Sequence, residues 1–169
     1  NKIQIQVNKE SKIKKFFFNK TIEIGKKIIL KNHISLKEKI LNSILDILVR
    51  QKIKKTLGGN IQAFVSGGGP LDPEVGLFLN ALGLKTMQGY GLTEASPVVS
   101  CNPMNSIKVE TVGKVLKHSQ VKIAEDGEIL VKGENVMLRY WNNEEATKKA
   151  IVSDWLYTGD IGEIDKDGY

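Results

Sequence analysis

Residues 61–87 read IQAFVSGGGPLDPEVGLFLNALGLKTM, and this stretch predicts a strand, a turn, a helix and a second strand in succession. The apolar run IQAFVS predicts a short buried strand that ends at Ser66. Asp72-Pro73-Glu74 has the composition of a helix start, with a capping residue, a proline and an acid in the first turn. Gly83 ends this helix, and Leu84–Met87 is the next strand. This order predicts a βαβ unit in a parallel sheet. The predicted buried face of the helix consists of Val75, Phe78, Leu79 and Leu82.

The residues before this unit predict helices. Residues 11–31 carry apolar side chains among lysines with approximately helical spacing. Ser35 and Glu38 have the spacing of a capping box, in which each residue caps the other's backbone N–H. Apolar residues then recur at three- and four-residue steps, which predicts an amphipathic helix that runs to about Leu57 and ends at Gly58-Gly59.

The residues after Thr111 have a β-rich pattern. Glu125-Asp126-Gly127 separates two short strand-like runs and predicts a hairpin. Asn142 is a candidate cap for a short helix that follows it. Trp155–Ile164 predicts a further extended segment, so this half is expected to form a small β-rich subdomain.

The charge of the chain is unevenly distributed. Residues 1–57 contain 15 Lys and Arg against four Asp and Glu, a net charge of +11, whereas the remainder has a net charge of −5. A basic segment of this kind is compatible with an anionic membrane surface or an acidic ligand, but lysines spread over solvated helix faces are the explanation that we prefer. It lacks interleaved aromatic residues and any nucleic-acid-binding module, so we expect no nucleic acid partner.

The composition also bears on location. The N-terminal residues lack the apolar core of a signal peptide, and no apolar run approaches the length of a membrane span. Cys101 is the single cysteine, so no internal disulfide can form. We therefore expect a cytoplasmic protein, with peripheral contact at a membrane surface as the alternative. His33 and His118 are isolated in the sequence and predict no metal site.

The second informative stretch is Gln88–Pro97, QGYGLTEASP. Tyr90, between two glycines, is suited to stacking on a base, Thr93 offers a hydroxyl donor to a phosphate, and Glu94 offers a hard oxygen ligand to Mg²⁺. A loop with a core tyrosine and a helix-capping threonine is an equally good interpretation. The polar cluster at 157–160, YTGD, lies far downstream, and we expect both stretches to meet at one nucleotide site.

The run of Gly67, Gly68 and Gly69 would let a flat or anionic ligand approach the backbone, although glycine runs before helices are also common turns. It matches neither the phosphate-binding loop nor the dinucleotide fingerprint. Ligands of parallel sheets bind at the carboxyl ends of strands. Gly67–Pro70 and Gly89–Glu94 both follow predicted strands, so we expect them to lie side by side.

Ser66–Leu71 (SGGGPL) and Gly89–Glu94 (GYGLTE) closely resemble motifs of the adenylate-forming, or AMP-binding, enzymes. This superfamily contains acyl-CoA synthetases, peptide-synthetase adenylation domains and luciferases. Further stretches agree in the same order, so that the resemblance runs from about Leu57 to the last residue. Leu82–Pro97 and Asn135–Trp141 (NVMLRYW) look most like the long-chain fatty acyl-CoA ligases. The additional matching stretches are Gly127–Gly133, Trp155–Gly162 and Asp165–Tyr169.

The resemblance implies an α/β fold, namely the C-terminal part of the large N-terminal domain of these enzymes. Residues 1–110 would form a nucleotide-binding portion of a parallel sheet with helices. Residues 111–169 would form a small β-barrel-like subdomain.

The resemblance also implies roles for individual residues. Gly67, Gly68 and Gly69 would border the adenine and ribose, with Gly89 and Gly91 flanking Tyr90, which would stack on adenine. Thr93 would bind the α-phosphate and Glu94 would hold Mg²⁺, which makes these two the catalytic residues. Asp160 would accept both ribose hydroxyls. The implied reaction converts ATP, a long-chain fatty acid and coenzyme A into acyl-CoA, AMP and pyrophosphate through an acyl-adenylate.

Some parts of the family pattern have no counterpart in this chain. The Ser/Thr/Gly-rich phosphate loop would precede the matching region, and the hinge, its arginine and the catalytic lysine would follow it. We therefore expect this chain to be an internal part of a larger ligase, with little nucleotide binding and no adenylation by itself. The alternatives are an adenylating enzyme that loads an acyl carrier protein and a non-catalytic acyl- or nucleotide-binding module.

Overall fold

The computed structural model describes residue 7 and residues 9–169 of the chain. Packing divides the chain into two compact units. The first extends to Phe64 and includes Asp72–Thr86, and the second comprises Val65–Leu71 and Met87–Tyr169. The boundary near residue 110 that the sequence predicts lies inside the second unit, so packing does not separate the chain at that point.

The first unit is helical. The predicted capping box is confirmed, because Ser35 Oγ accepts from the Glu38 backbone N at 3.3 Å and Glu38 Oε2 accepts from the Ser35 N at 2.8 Å. The predicted helix to about Leu57 is also confirmed, although it contains a π-helical turn, and Gly58-Gly59 follows it with positive φ angles. Its apolar stripe is exposed and not part of the core, which differs from the usual role of such a stripe; the exposed residues are Leu36, Ile40, Ile44, Ile47 and Leu48. The helical segments are α1 (Lys12–Ile29), α2 (Leu36–Leu45), the π-helical turn (Asp46–Arg50), α3 (Gln51–Thr56) and α4 (Pro73–Ala81).

The helix α4 starts as predicted, since the Asp72 side chain accepts from the backbone N of Glu74 at 2.8 Å and Pro73 occupies the first position. Its predicted buried face is confirmed in part, because Leu82 is buried and Phe78 and Leu79 are partly buried against the same core. Val75 is exposed, whereas the small residues Gly76 and Ala81 are buried together with Leu77. Helix α4 packs by these small residues, because a Cβ on Gly25 of α1 would lie only 2.6 Å from the Ala81 carbonyl oxygen.

A four-stranded sheet in the order β1-β2-β3-β4 carries the glycine-rich motifs. β1 and β2 are neighbours, as the βαβ prediction requires, but β3 is antiparallel to β2 and β4 is antiparallel to β3, so the sheet is mixed. The second predicted strand begins later and runs further than expected, so Gly89, Tyr90 and Gly91 lie on a strand and not in a loop. The strands are β1 (Phe64–Ser66), β2 (Thr86–Gly91), β3 (Val98–Cys101) and β4 (Lys114–Val115).

A second four-stranded sheet has the order β5-β6-β8-β7 and is antiparallel throughout. The predicted hairpin is confirmed, with Gly127 at a φ of +90° in its turn. Helix α5 begins one residue later than predicted, because the Asn143 side chain caps it while Asn142 has a φ of +49°. The elements are β5 (Ser119–Ile123), β6 (Glu128–Gly133), α5 (Glu144–Ala150), β7 (Ile151–Val152) and β8 (Trp155–Ile161).

The core of the second unit joins its two sheets. Its fully buried members are Ala95, Val99, Val131 and Leu156. Tyr90 is partly buried against this core, which ties the end of β2 to β6 and β8. None of the helices in the described part of the chain is both long enough and apolar enough to cross a lipid bilayer.

Candidate functional site

A cavity of about 330 Å³ lies within the second unit. It is bordered by the glycine-rich turn, by the end of β2 and by two residues from further along the chain. Most of the residues that the sequence predicts for a nucleotide site therefore surround one space. The lining residues are Gly68, Gly69, Pro70, Gln88, Gly89, Tyr90, Gly91, Val112 and Asp160.

The remaining predicted glycine, Gly67, lies beside β2, where an added Cβ would be 3.8 Å from the Gly89 carbonyl oxygen. The turn that follows β1 and the end of β2 are therefore adjacent, as expected. Gly68 has a φ of +76°, a backbone conformation that favours glycine. Gly69 has open space around its Cβ position.

The two glycines around Tyr90 lie close to the backbone at and before β3. A Cβ on Gly91 would lie 1.7 Å from the carbonyl oxygen of Pro97, and one on Gly89 would lie 2.9 Å from that of Ser100. The backbone at and before β3 occupies the space that side chains would need. These glycines therefore permit close pairing with β3, and they also border the cavity.

Tyr90 and Asp160, 70 residues apart in sequence, meet at the cavity. Tyr90 Oη donates to Asp160 Oδ2 at a distance of 2.6 Å. Burial of the phenol and its bond to the Asp160 carboxylate raise the pKa of Tyr90 to about 12. At neutral pH, Tyr90 therefore keeps its proton and acts as a donor that orients the carboxylate.

Asp160 belongs to β8 and is held by its neighbours. The Asp160 backbone N donates to Thr158 Oγ1 at 3.1 Å, and that hydroxyl donates to the Ile129 carbonyl oxygen at 2.8 Å. Gly159 adopts a φ of +74°, and its N donates to Glu128 Oε1 at 2.7 Å. The Asp160 side chain is solvent-exposed at the rim, so a ligand in the cavity can reach it.

Thr93 and Glu94 are not among the cavity's lining residues. They lie in a 3₁₀ turn, Thr93–Ala95, that directly follows β2 and Leu92. Thr93 is exposed, whereas Glu94 is half-buried and its Oε1 accepts from Tyr140 Oη at 2.7 Å. The turn thus places both predicted catalytic side chains beyond the end of β2, next to the glycine-bordered cavity.

The sequence did not identify Val112, Gln88 or Tyr140 as site residues. Val112 reaches the cavity because its carbonyl oxygen accepts from Ser100 Oγ on β3 at 2.9 Å. Gln88 is the first residue of the quoted motif, and its carbonyl oxygen accepts from the Asn102 N at 3.0 Å. Tyr140 lies in the NVMLRYW stretch, which carried a family resemblance but no local signal for a role.

The described residues include no group of three or more His, Cys, Asp or Glu side chains that could hold a metal ion. His33 and His118 are both exposed. Mg²⁺ at nucleotide sites is commonly bound through one or two carboxylates, with waters and substrate phosphates as the other ligands. A single carboxylate such as that of Glu94 therefore has suitable chemistry for a metal that arrives with a nucleotide.

Comparison with known proteins places these features in a family. The model of the AMP-binding enzyme family matches residues 34–141. A long-chain-fatty-acid–CoA ligase, FadD15 of Mycobacterium bovis, is 44% identical over 128 residues, which are 76% of this chain and 21% of the relative. A 2-succinylbenzoate–CoA ligase of Listeria innocua is 38% identical over 125 residues, 70% of this chain and 27% of that protein. The chain thus spans about a fifth to a quarter of these curated relatives.

A solved structure is similar as well. It is the o-succinylbenzoate CoA synthetase MenE of Bacillus subtilis, in complex with the acyl-adenylate intermediate OSB-AMP. The TM-score is 0.58 at 29% sequence identity, and the match covers 70% of this chain and 36% of the other. The α/β fold predicted from the sequence is therefore confirmed.

Proposed function

The chain belongs to the AMP-binding enzyme family of adenylate-forming CoA ligases, and from this we propose that its cavity binds the adenosine part of ATP in a fatty acid–CoA ligase. The observation that carries the proposal is the meeting of Tyr90 and Asp160 at one cavity bordered by glycines. Its volume of about 330 Å³ lies in the range of small-molecule sites, roughly 300–1,000 Å³.

Tyr90 and Asp160 would bind the nucleoside together. The Tyr90 ring offers a face for base stacking, and the Asp160 carboxylate accepts hydrogen bonds from ribose hydroxyls. An ionised carboxylate has about four lone-pair positions, so Asp160 can keep its bond from Tyr90 while it accepts from the ribose. The Tyr90 hydroxyl then fixes the carboxylate before the nucleotide arrives, which reduces the ordering cost of binding.

The proposed reaction begins when a substrate carboxylate attacks the α-phosphorus of ATP and pyrophosphate leaves. Thr93 would donate a hydrogen bond from its hydroxyl to an α-phosphate oxygen. This bond would stabilise the negative charge that increases in the transition state. Glu94 would hold Mg²⁺, which neutralises phosphate charge when it is bound. The base and ribose contacts align the phosphate with the carboxylate. Coenzyme A then displaces AMP from the acyl-adenylate through its thiol.

We propose a long-chain fatty acid as the substrate. The support is the 44% identity to a long-chain-fatty-acid–CoA ligase, against 38% to a 2-succinylbenzoate–CoA ligase. The test is pyrophosphate release and acyl-CoA formation by the full-length protein with Mg-ATP, coenzyme A and a panel of carboxylates that includes both substrate classes. We expect both products with long-chain fatty acids.

Each other outcome has a distinct meaning. Products with 2-succinylbenzoate alone would overturn the fatty acid assignment and retain the ligase. Pyrophosphate release without acyl-CoA would indicate another acceptor, such as a carrier protein. No pyrophosphate with any carboxylate would overturn the proposed enzyme and favour a binding module, which the binding of labelled AMP would then test.

A further inference from the structure

One segment of the second unit braces the turn that carries Glu94. This bracing segment, residues 135–140, follows β6 and contacts the Thr93–Ala95 turn at three points. Asn135 Nδ2 donates to the Ala95 carbonyl oxygen at 2.9 Å, and the Met137 N donates to the Glu94 carbonyl oxygen at 2.7 Å. Both of these bonds end on main-chain oxygens of the turn. Only the third, from Tyr140 Oη to Glu94 Oε1 at 2.7 Å, engages a side chain.

Tyr140 is itself anchored. Its backbone N donates to Thr147 Oγ1 at 3.0 Å, and that hydroxyl donates to the Asn143 carbonyl oxygen at 2.7 Å. Asn143 caps helix α5 by accepting from the Ala146 N at 3.0 Å. The phenol therefore projects from a fixed point at the start of α5, and its bond across 46 residues of sequence imposes one orientation on the Glu94 carboxylate.

The backbone contacts show that the bond to the carboxylate is not needed merely to hold the turn. Asn135 and Met137 already secure the turn at Glu94 and Ala95 through main-chain atoms. Ser119 Oγ also donates to Asn135 Oδ1 at 3.1 Å, so the side chain of Asn135 is fixed from its other end. The bonds from Asn135 and Met137 reach main-chain oxygens of the turn and do not orient the Glu94 side chain. The Tyr140 hydroxyl supplies that orientation.

We propose that Tyr140 is a positioning residue for Mg²⁺ binding: its hydrogen bond to Oε1 fixes the Glu94 carboxylate, which would hold the cation that accompanies the ATP phosphates. This inference rests on the proposed function. A tyrosine phenol ordinarily titrates at about pH 10, so the Tyr140 hydroxyl is a donor at neutral pH. Hydrogen bonds to a ligating carboxylate commonly govern metal affinity, and their loss costs about 10–100-fold.

The test uses the full-length protein and Mn²⁺ as a spectroscopic probe. Electron paramagnetic resonance measures Mn²⁺ affinity in the presence of α,β-methylene-ATP, and labelled AMP measures metal-independent nucleotide binding. We expect Tyr140→Phe to weaken Mn²⁺ binding about tenfold and to leave AMP affinity unchanged. In turnover, the Mg²⁺ concentration for half-maximal rate should rise, and saturating Mg²⁺ should restore most of the rate.

Tyr169→Phe is the matched control, because it removes a phenol hydroxyl whose hydrogen bond goes to the Ser106 carbonyl oxygen at 2.6 Å. Glu94→Gln should abolish the tight Mn²⁺ site. Equal Mn²⁺ affinity in Tyr140→Phe and wild type would overturn the positioning role. Loss of AMP affinity together with Mn²⁺ affinity in Tyr140→Phe would also overturn it, since that result describes a structural defect.

The proposed function can fail separately. A wild-type protein that binds Mn²⁺ with the ATP analogue but releases no pyrophosphate would refute the ligase and leave the positioning role to be judged by the Tyr140→Phe comparison. A wild-type protein without nucleotide-dependent Mn²⁺ binding would overturn both proposals.

Discussion

Replacing Gly91 by alanine is expected to disrupt the pairing of β2 with β3. An added Cβ would lie 1.7 Å from the Pro97 carbonyl oxygen, 2.7 Å from the Pro97 carbonyl carbon and 2.9 Å from Val98 Cα. All three are backbone atoms, so no side-chain rotamer can relieve the overlap. The strands must move apart next to the point where Tyr90 pairs with Ser100 and where the ladder already has an irregularity.

The size of the effect follows from this geometry. Excess volume in a packed interior costs about 1–3 kcal/mol when neighbouring side chains can adjust. Here the Cβ–oxygen separation must increase from 1.7 Å to at least 3.0 Å against a hydrogen-bonded backbone. We therefore expect a loss of at least about 3 kcal/mol in the free energy of unfolding, more than a hundredfold in the equilibrium constant.

Two glycines of the same site provide internal controls. Gly69 has no atom within 4 Å of its Cβ position, and Gly89 has its nearest contact at 2.9 Å. Pulse proteolysis in urea on the full-length protein should show the largest loss in the free energy of unfolding for Gly91→Ala, a smaller loss for Gly89→Ala and the smallest for Gly69→Ala. The value for Gly69→Ala should lie within about 0.5 kcal/mol of wild type. Equal stability of Gly91→Ala and Gly69→Ala would refute the reasoning.

Three further changes have expected outcomes. Asp160→Ala should raise the KM for ATP about tenfold, because ribose hydroxyls lose a charged acceptor; unchanged ATP kinetics would remove Asp160 from the site. Ser35→Ala should cost about 1 kcal/mol in urea unfolding, because the Glu38 N loses its cap; a midpoint equal to wild type would contradict this. The Lys108 bond lowers the pKa of Asp165 from 3.8 to about 2, so its stabilisation is complete above pH 4 and declines as the pH falls towards 2. Between about pH 4 and about pH 2, the free energy of unfolding of Asp165→Asn should therefore decrease less than that of wild type.

Local chemistry explains what the sequence predicted correctly. The Ser35 and Asp72 caps satisfy backbone donors two or three residues ahead, and the hairpin at Gly127 depends on a single positive φ. Such signals lie within a few adjacent residues, so composition reveals them. The neighbouring positions of β1 and β2 follow from the same kind of short pattern, because a strand, a helix and a strand have few possible arrangements.

Tertiary packing explains what the sequence did not predict. The orientation of α4 depends on Gly25, which admits Ala81 at a distance that larger residues would prevent. Strand β2 continues through Gly89 and Gly91 because β3 pairs with it, and β3 begins at Val98, directly after the motif Gln88–Pro97. In both cases a glycine has a tertiary role that its neighbours in sequence do not indicate.

The two carboxylates proposed for the nucleotide site show why motifs identify residues and not their geometry. Asp160 and Glu94 each accept a hydrogen bond from a tyrosine, Tyr90 in one case and Tyr140 in the other. A lysine or arginine in the same place would neutralise the carboxylate and weaken its attraction for a cation. A neutral phenol whose pKa is raised orients the carboxylate and leaves its negative charge available. A carboxylate that binds Mg²⁺ requires that negative charge. A tyrosine partner therefore fixes the orientation of the carboxylate without neutralising its charge.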